Sequence, residues 1–258
     1  MTEAGELPSA AQVAARLEAL PEAGSTNAEL RSHVPDAGWP HLSVIITDNQ
    51  TAGRGRLDRS WVAPAGTALA ISVLLRELPA PELRGWIPLA AGVAMADAVA
   101  AQLPDREVSV KWPNDVLVDG RKICGILAEA TGDAVVLGAG VNTAMPASAL
   151  PVPTATSFAA LGIEADADRL LADYLRVLDG LIAALAASDD AMQSGLHAAV
   201  SRRCSTLGLA VRVSLPGERM LVGSARALDA DGRLLVDADG VEHAVSAGDV
   251  VHVRPTPV

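Results

Sequence analysis

Lys111 and Lys122 are the only lysines in a 258-residue chain that carries 20 basic side chains. A position that keeps lysine against an arginine background calls for a compact ammonium on a flexible stem rather than a planar fork. A second cationic group stands upstream, where Gly53-Arg54-Gly55-Arg56 and Arg59 put three guanidiniums within six residues. Such a cluster repels itself, and in an acidic chain its natural neutraliser is a polyanion; guanidinium forks suit phosphate. The glycines let the backbone fold closely around a ligand. The competing reading is a solvated turn neutralised by Asp48 and Asp58. The loop lacks the lysine and Ser/Thr of a G-x-x-x-x-G-K-[ST] loop, so a nucleotide would be held differently here.

These groups need a scaffold to bring them together. Residues 11–20 read as a short helix, and Ser25-Thr26-Asn27-Ala28-Glu29 as the start of another, with Thr26 and Glu29 as a capping box. SVIIT at 43–47 and LAISVLL at 69–75 are buried strands on either side of the arginine loop, and a helix follows at about 86–103. VSVKW, NDVLV, RKICGILAE and AVVLGAGVN form an antiparallel meander, with turns at Asp119-Gly120 and Gly132-Asp133. Trp112 precedes Pro113 and is biased to extended backbone, so Lys111 ends a strand. A two-residue turn sets Lys122 opposite Leu117, and alternation gives Lys122, Cys124 and Ile126 one face. Gly125 leaves a gap in the other face, which makes Gly125-Ile126 a candidate ligand wall. Helices at 166–187 and 189–204 lead to VRVSL, MLVGSARAL, RLLVDA, EHAVS and DVVHVR, short strands divided by Pro-Gly and Asp-Gly turns, the pattern of a small β-barrel.

Composition removes several classes. A net charge of −11 argues against nonspecific binding to nucleic acid or anionic membrane. The alanine-rich stretches at 89–103 and 168–187 fall short of an uninterrupted membrane span. MTEAGELPSAAQ has no basic region followed by an apolar run, so no secretory signal is read and the expected location is cytoplasmic. Cys124 and Cys204 are too isolated for a disulfide framework, and the five histidines show no ligand spacing.

Four motifs occur in a fixed order: Ser25-Thr26-Asn27; Gln50-Thr51-Ala52-Gly53-Arg54-Gly55-Arg56; Lys111-Trp112-Pro113-Asn114-Asp115 with Arg121-Lys122 and Gly125-Ile126-Leu127; and Gly138-Ala139-Gly140-Val141-Asn142. Together they resemble the biotin protein ligases. The resemblance implies an α+β fold: a mixed, largely antiparallel central sheet flanked by helices, then a small SH3-like β-barrel. The expected division is a catalytic domain over 1–206 and the barrel over 207–258. It implies that biotin and MgATP give biotinyl-5′-AMP and pyrophosphate, and that a lysine of a biotin carboxyl carrier domain then takes the biotinyl group.

The same resemblance assigns roles. Lys122 bridges the biotin carboxyl and the α-phosphate, and Lys111 is a supporting cation at the phosphates. Ser25, Thr26, Asn27 and Gln50 bind the ureido head, although Thr26 is also explained as a helix cap. Arg54, Gly55 and Arg56 occupy the biotin-loop positions, Gly125 and Ile126 wall the biotin, and Arg59 and Asn114 extend toward the nucleotide. Trp61 covers the adenine or fills the core. Asn142 meets the nucleotide or Mg²⁺, or caps a loop. Asp115 orients a lysine, helps activate the incoming amine, or makes an Asx turn. Mg²⁺ comes with ATP rather than on a protein-only site.

Family members that repress transcription carry a DNA-binding domain before Ser-Thr-Asn. Here 24 residues precede Ser25, so DNA binding is not expected, and the chain is read as a monomer or weak homodimer with no membrane partner. The alternatives are a lipoate or octanoate ligase or transferase, with Cys124 as acyl acceptor, and a non-catalytic biotin-binding module.

Overall fold

The computed structural model describes residues 7–57, 59–215, 219–246 and 249–252. Asp58, the Pro216-Gly217 turn, Arg254 and the first six residues of the N-terminal reading lie outside the described residues. Apolar runs with strand alternation build the central sheet from β1 (Arg16–Ala19), β2 (Ser43–Thr47), β5 (Ala68–Leu75), β6 (Val108–Lys111), β7 (Asp115–Val118), β8 (Arg121–Thr131) and β9 (Ala134–Asn142), with β3 (Gly53–Arg54) and β4 (Ser60–Trp61) pairing separately as a short hairpin. The sheet order is β1-β2-β5-β9-β8-β7-β6, parallel between β1 and β2 and antiparallel elsewhere.

Alternation divides the sheet into two working faces. Leu69, Ile71 and Val73 of β5, with Leu137, Ala139 and Val141 of β9, join the main core. That face is covered by α3 (Ile87–Ala100), buried nearly all round, and by α4 (Ala167–Ser188). Leu171, Leu175, Leu178, Ile182 and Leu185 form the helical stripe that α4 turns inward. Each leucine removed from water there contributes about 1.5–3 kcal/mol. On the opposite face, Leu30 of α2 (Thr26–Ser32) and Trp39 pack on Ile45, Leu74, Ala134 and Val136. Farther along the same strands that apolar cover gives way to Ala70, Ser72, Gly138 and Gly140, and the site lies there.

After α5 (Leu196–Arg203), strands β10 (Ala210–Leu215), β11 (Arg219–Leu228), β12 (Leu234–Ala238), β13 (Val241–Val245) and β14 (Asp249–His252) form the small antiparallel barrel unit in the order β13-β12-β11-β10-β14. Val211 and Val213 point inward and Arg212 outward, as a period of two requires. Two indoles fasten this unit to the body: Trp86 Nε1 donates to Ala230 O (2.8 Å) and Trp112 Nε1 to Gly232 O (3.1 Å). The peptide between Trp112 and Pro113 is cis.

Four sequence expectations are corrected. The helix expected at 11–20 does not form: α1 covers only Pro8–Ala11, and residues 16–19 pair with β2 instead, tertiary pairing outweighing alanine propensity. The cap of α2 is Ser25, whose Oγ accepts from the Ala28 amide at 3.4 Å; Thr26 is the first helical residue and its hydroxyl turns elsewhere. The helix of 189–204 starts only at Leu196, because Asp189 is left-handed and the Asp190 carboxylate ties the following turn through the Met192 and Gln193 amides. The fourth concerns Lys122 and belongs to the site. Pro81–Ala100 is long and apolar enough to cross a membrane by length and composition alone, and 67% of its most apolar window is buried inside the fold, so core packing accounts for its hydropathy.

Candidate active site

Asp119 and Gly120 both take positive φ (49° and 72°), and the tight hairpin sets Leu117 opposite Lys122 and Val118 opposite Arg121. Beyond Lys122 the register slips: Val116 faces Cys124 and Asp115 faces Gly125, which leaves Ile123 as the extra residue of a bulge. A one-residue slip exchanges faces. Cys124 and Ile126 therefore enter the core while Lys122 joins Gly125 and Asp115, against the expectation that Lys122, Cys124 and Ile126 share a face. Lys122 Nζ ion-pairs with Asp115 Oδ1 at 2.6 Å.

The register Asp115–Gly125–Gly140–Ala70 lays a row of small residues across β7, β8, β9 and β5, the floor of a cavity. Trp61 rests on that floor. A Cβ on Gly140 would come within 2.6 Å of its Cε2, and Lys122 Nζ lies 5.9 Å from the ring centroid, near the limit of a cation–π contact.

One end wall is polar. Gln50 Oε1 accepts from the Thr26 amide (2.9 Å) and hydroxyl (3.1 Å). The buried Ser72 hydroxyl donates to Asn27 Oδ1 (2.6 Å) and lies 2.8 Å from Thr26 Oγ1. Asn27 Nδ2 donates to Glu129 Oε2 at 2.8 Å. Arg54, Arg56 and Arg59 flank the cavity from the hairpin side, and Arg56 Nη1 donates to Asn114 Oδ1 at 3.1 Å. Asn114 Nδ2 in turn donates to Ile126 O at 2.8 Å, so the hairpin, the 112–115 turn and β8 are tied together. Cationic groups face a polar recess across a glycine floor. That arrangement gathers anions and a compact polar head in one place, which acyl–phosphate chemistry requires.

Ser25, Thr26, Asn27, Gln50, Arg54, Gly55, Arg56, Arg59, Trp61, Asn114, Asp115, Lys122, Gly125 and Ile126 all line this cavity. Lys111 and Asn142 are not among its lining residues. Asn142 Nδ2 donates to Thr156 O (2.9 Å), holding the end of β9 to the 156–158 segment. Ser72 and Glu129 were missed. Ser72 had a legible signal, a lone hydroxyl in an otherwise apolar strand; Glu129 had none in its spacing.

The charge of Lys111 is felt by His252 of β14. The Thr206 hydroxyl accepts from the Trp112 amide (3.0 Å) and lies 3.1 Å from His252 Nε2. Burial first, then the Lys111 charge, holds the imidazole below its ordinary 6.5. Folding thus favours the neutral ring. Its contribution to stability is complete above about pH 6.5 and declines as the pH falls further, where the unfolded chain takes up a proton the folded chain refuses. His252→Asn should flatten the fall of Tm between about pH 7 and 5; an unchanged slope would count against this origin.

Comparison with known proteins fits this geometry. The Biotin/lipoate A/B protein ligase family model matches residues 21–142, and the Biotin protein ligase C terminal domain model matches residues 206–253. The chain is 40% identical over 243 residues to the biotin–[acetyl-CoA-carboxylase] ligase of Mycobacterium tuberculosis, covering 93% of this chain and 90% of that one. The chain belongs to the biotin protein ligase family. This ligase is also 32% identical to the bifunctional ligase/repressor BirA of Escherichia coli, over 90% of its own length and 72% of that protein's. Its fold is shared by the biotin protein ligase from Aquifex aeolicus in complex with biotin and ATP (TM-score 0.76, 24% identity, 93% and 100% of the two chains). The ligase from Leishmania major in complex with biotinyl-5-AMP aligns at a TM-score of 0.61 and 26% identity, over 90% and 99%. The α+β architecture expected of the ligase, a mostly antiparallel sheet with a C-terminal barrel unit, is therefore the observed one.

Proposed function

We propose that the chain activates biotin with ATP to biotinyl-5′-AMP and then transfers the biotinyl group to one lysine of a biotin carboxyl carrier domain, in the cytoplasm. One observation carries this reading: the Lys122–Asp115 pair stands on a glycine floor between a hydrogen-bonding recess and an arginine hairpin.

The first step drives a carboxylate toward an α-phosphate, and the two anions repel. Lys122 lies where its ammonium can meet both, and Asp115 holds it there until the substrates compete for it. Thr26, Asn27 and Gln50 form the recess for the ureido head, which offers one acceptor and two N–H donors. Arg56 and Arg59 take up phosphate charge, and Asn114 fixes Arg56. Lys111 adds to the field from outside the lining. Among the described residues the charged groups lining the cavity are cations apart from Asp115, which favours Mg²⁺ entering on the triphosphate rather than on the chain. In the second step the carrier lysine attacks the acyl carbon and AMP leaves. We divide the chain into a ligase domain assigned to 1–206 and a C-terminal barrel domain assigned to 207–258. We assign no role in DNA binding and read the chain as a monomer or weak homodimer.

Cys124 speaks against an acyl transferase. It sits in the main core, and burial pushes its thiol far above the ordinary range, which withholds the thiolate that accepts acyl groups. The direct test offers the ligase with ATP and Mg²⁺ to a carrier domain: biotin should appear on one carrier lysine, and lipoate should not replace it. Labelling by lipoate alone would favour the rival reading. Water destroys an acyl-adenylate, so the hairpin must also retain it. Arg56→Gly removes the link to Asn114 and frees a hairpin end. Release of biotinyl-AMP should rise by about tenfold or more, with indiscriminate lysine labelling; unchanged retention in filter binding would contradict this role.

A further inference from the structure

The Glu129 carboxylate near the end of β8 gathers three donors from two elements, α2 and the arginine hairpin. Asn27 Nδ2 of α2 donates to Oε2 at 2.8 Å, Arg31 Nη1 of α2 pairs with Oε1 at 3.1 Å, and Arg54 Nη2 of the hairpin pairs with Oε1 at 3.2 Å. The Glu129 side chain is only 17% exposed, well sheltered for an ion-paired carboxylate. We infer that Glu129 is a positioning residue for biotin recognition: it fixes the orientation of the Asn27 amide and tethers the Arg54 hairpin, so one carboxylate sets both walls of the head-group recess.

The chemistry of the amide decides its orientation. Asn27 has an acceptor end and a donor end of nearly equal size. The Ser72 hydroxyl serves either end, as donor or acceptor, and so cannot choose between them. Glu129 and the Leu127 carbonyl are acceptors only, and they draw Nδ2 to their side, at 2.8 and 3.4 Å. Oδ1 is thereby left over Gly138, where an added Cβ would approach it to 2.6 Å. An acceptor facing the recess selects a ligand with an N–H donor. A ureido ring supplies one and a dithiolane does not, so the preference for biotin over lipoate traces in part to a residue that touches neither.

The same carboxylate holds the hairpin through Arg54. Gly53 lets that strand start close: a Cβ there would meet Gln50 Nε2 at 2.4 Å and Trp61 O at 2.5 Å. Without an acceptor at position 129, the head-group wall and the hairpin lose their shared anchor together.

This inference rests on the ligase reading, and the test separates the two. Biotin-dependent exchange of pyrophosphate into ATP is measured for the wild type, Glu129→Gln, Glu129→Leu and Arg54→Met, together with the rate of tryptic cleavage in the hairpin with and without biotin. No exchange by the wild type would refute the ligase reading alone. Given wild-type exchange, Glu129→Leu should raise KM for biotin about tenfold or more, the loss of a charge-assisted hydrogen bond, and leave KM for ATP within about twofold. Glu129→Gln retains an oxygen acceptor for Asn27 and should fall between the two on KM, while losing biotin protection of the hairpin as fully as Arg54→Met does. A general loss of structure would move both KM values. If Glu129→Leu does not fold, the Gln variant decides. KM for biotin within twofold of wild type, with hairpin protection retained, would overturn the inference.

Discussion

Lys122→Ala should lower biotin-dependent pyrophosphate exchange by about a thousandfold while leaving the fold intact. The two halves of that result rest on different features. The Lys122–Asp115 pair is close, but the lysine side chain is 35% exposed, so its loss costs at most about 1 kcal/mol of stability. The catalytic loss is large because the same ammonium is the lining cation on the sheet itself, opposite the guanidiniums of the hairpin. Lys122→Arg keeps the charge but replaces a point with a fork, and should restore little. Near-wild-type exchange by Lys122→Ala, or a large drop in Tm, would remove Lys122 from the centre of the mechanism.

Gly138→Ala should weaken biotin binding by about tenfold to a hundredfold. The added methyl would stand 2.6 Å from Asn27 Oδ1, and Asn27 cannot retreat, since Ser72 and Glu129 hold both ends of its amide. Overpacking of this kind costs about 1–3 kcal/mol, or about one to two powers of ten in affinity. Gly125→Ala is the informative contrast. Its methyl would meet Lys122 Nζ at 3.0 Å, the far end of a flexible chain that can swing aside. Titration calorimetry with biotin should therefore rank Gly138→Ala as the more damaging; the reverse order would mean that the floor, not the Asn27 network, limits binding.

The sequence carried local signals better than pairings. Asp119-Gly120 announces its own turn because both residues need positive φ, and the facing of Leu117 and Lys122 follows from it. The arginine loop and Ser25–Asn27 were legible from residue chemistry and motif order, and the structure brings them to one cavity. The bulge at Ile123 left no trace, because nothing in RKICGIL marks an extra residue and only pairing with β7 reveals it. Strand β1 was hidden for a related reason: its alanine-rich surroundings favour helix until β2 offers a partner. Glu129 carried no signal of its own, and only the fold supplies Arg31, Arg54 and Asn27 around it. Lys111 shared its rarity with Lys122 but not its place: it does not line the cavity, and its charge lowers the His252 pKa.

The central claim is that this cavity joins biotin to AMP through Lys122, and exchange of labelled pyrophosphate into ATP measures that step without the carrier domain. Label should enter ATP only when biotin and Mg²⁺ are both present, lipoate should neither replace nor compete with biotin, and Lys122→Ala should cut the signal by about a thousandfold. Exchange driven by lipoate, or equal exchange in the Lys122→Ala protein, would contradict the account.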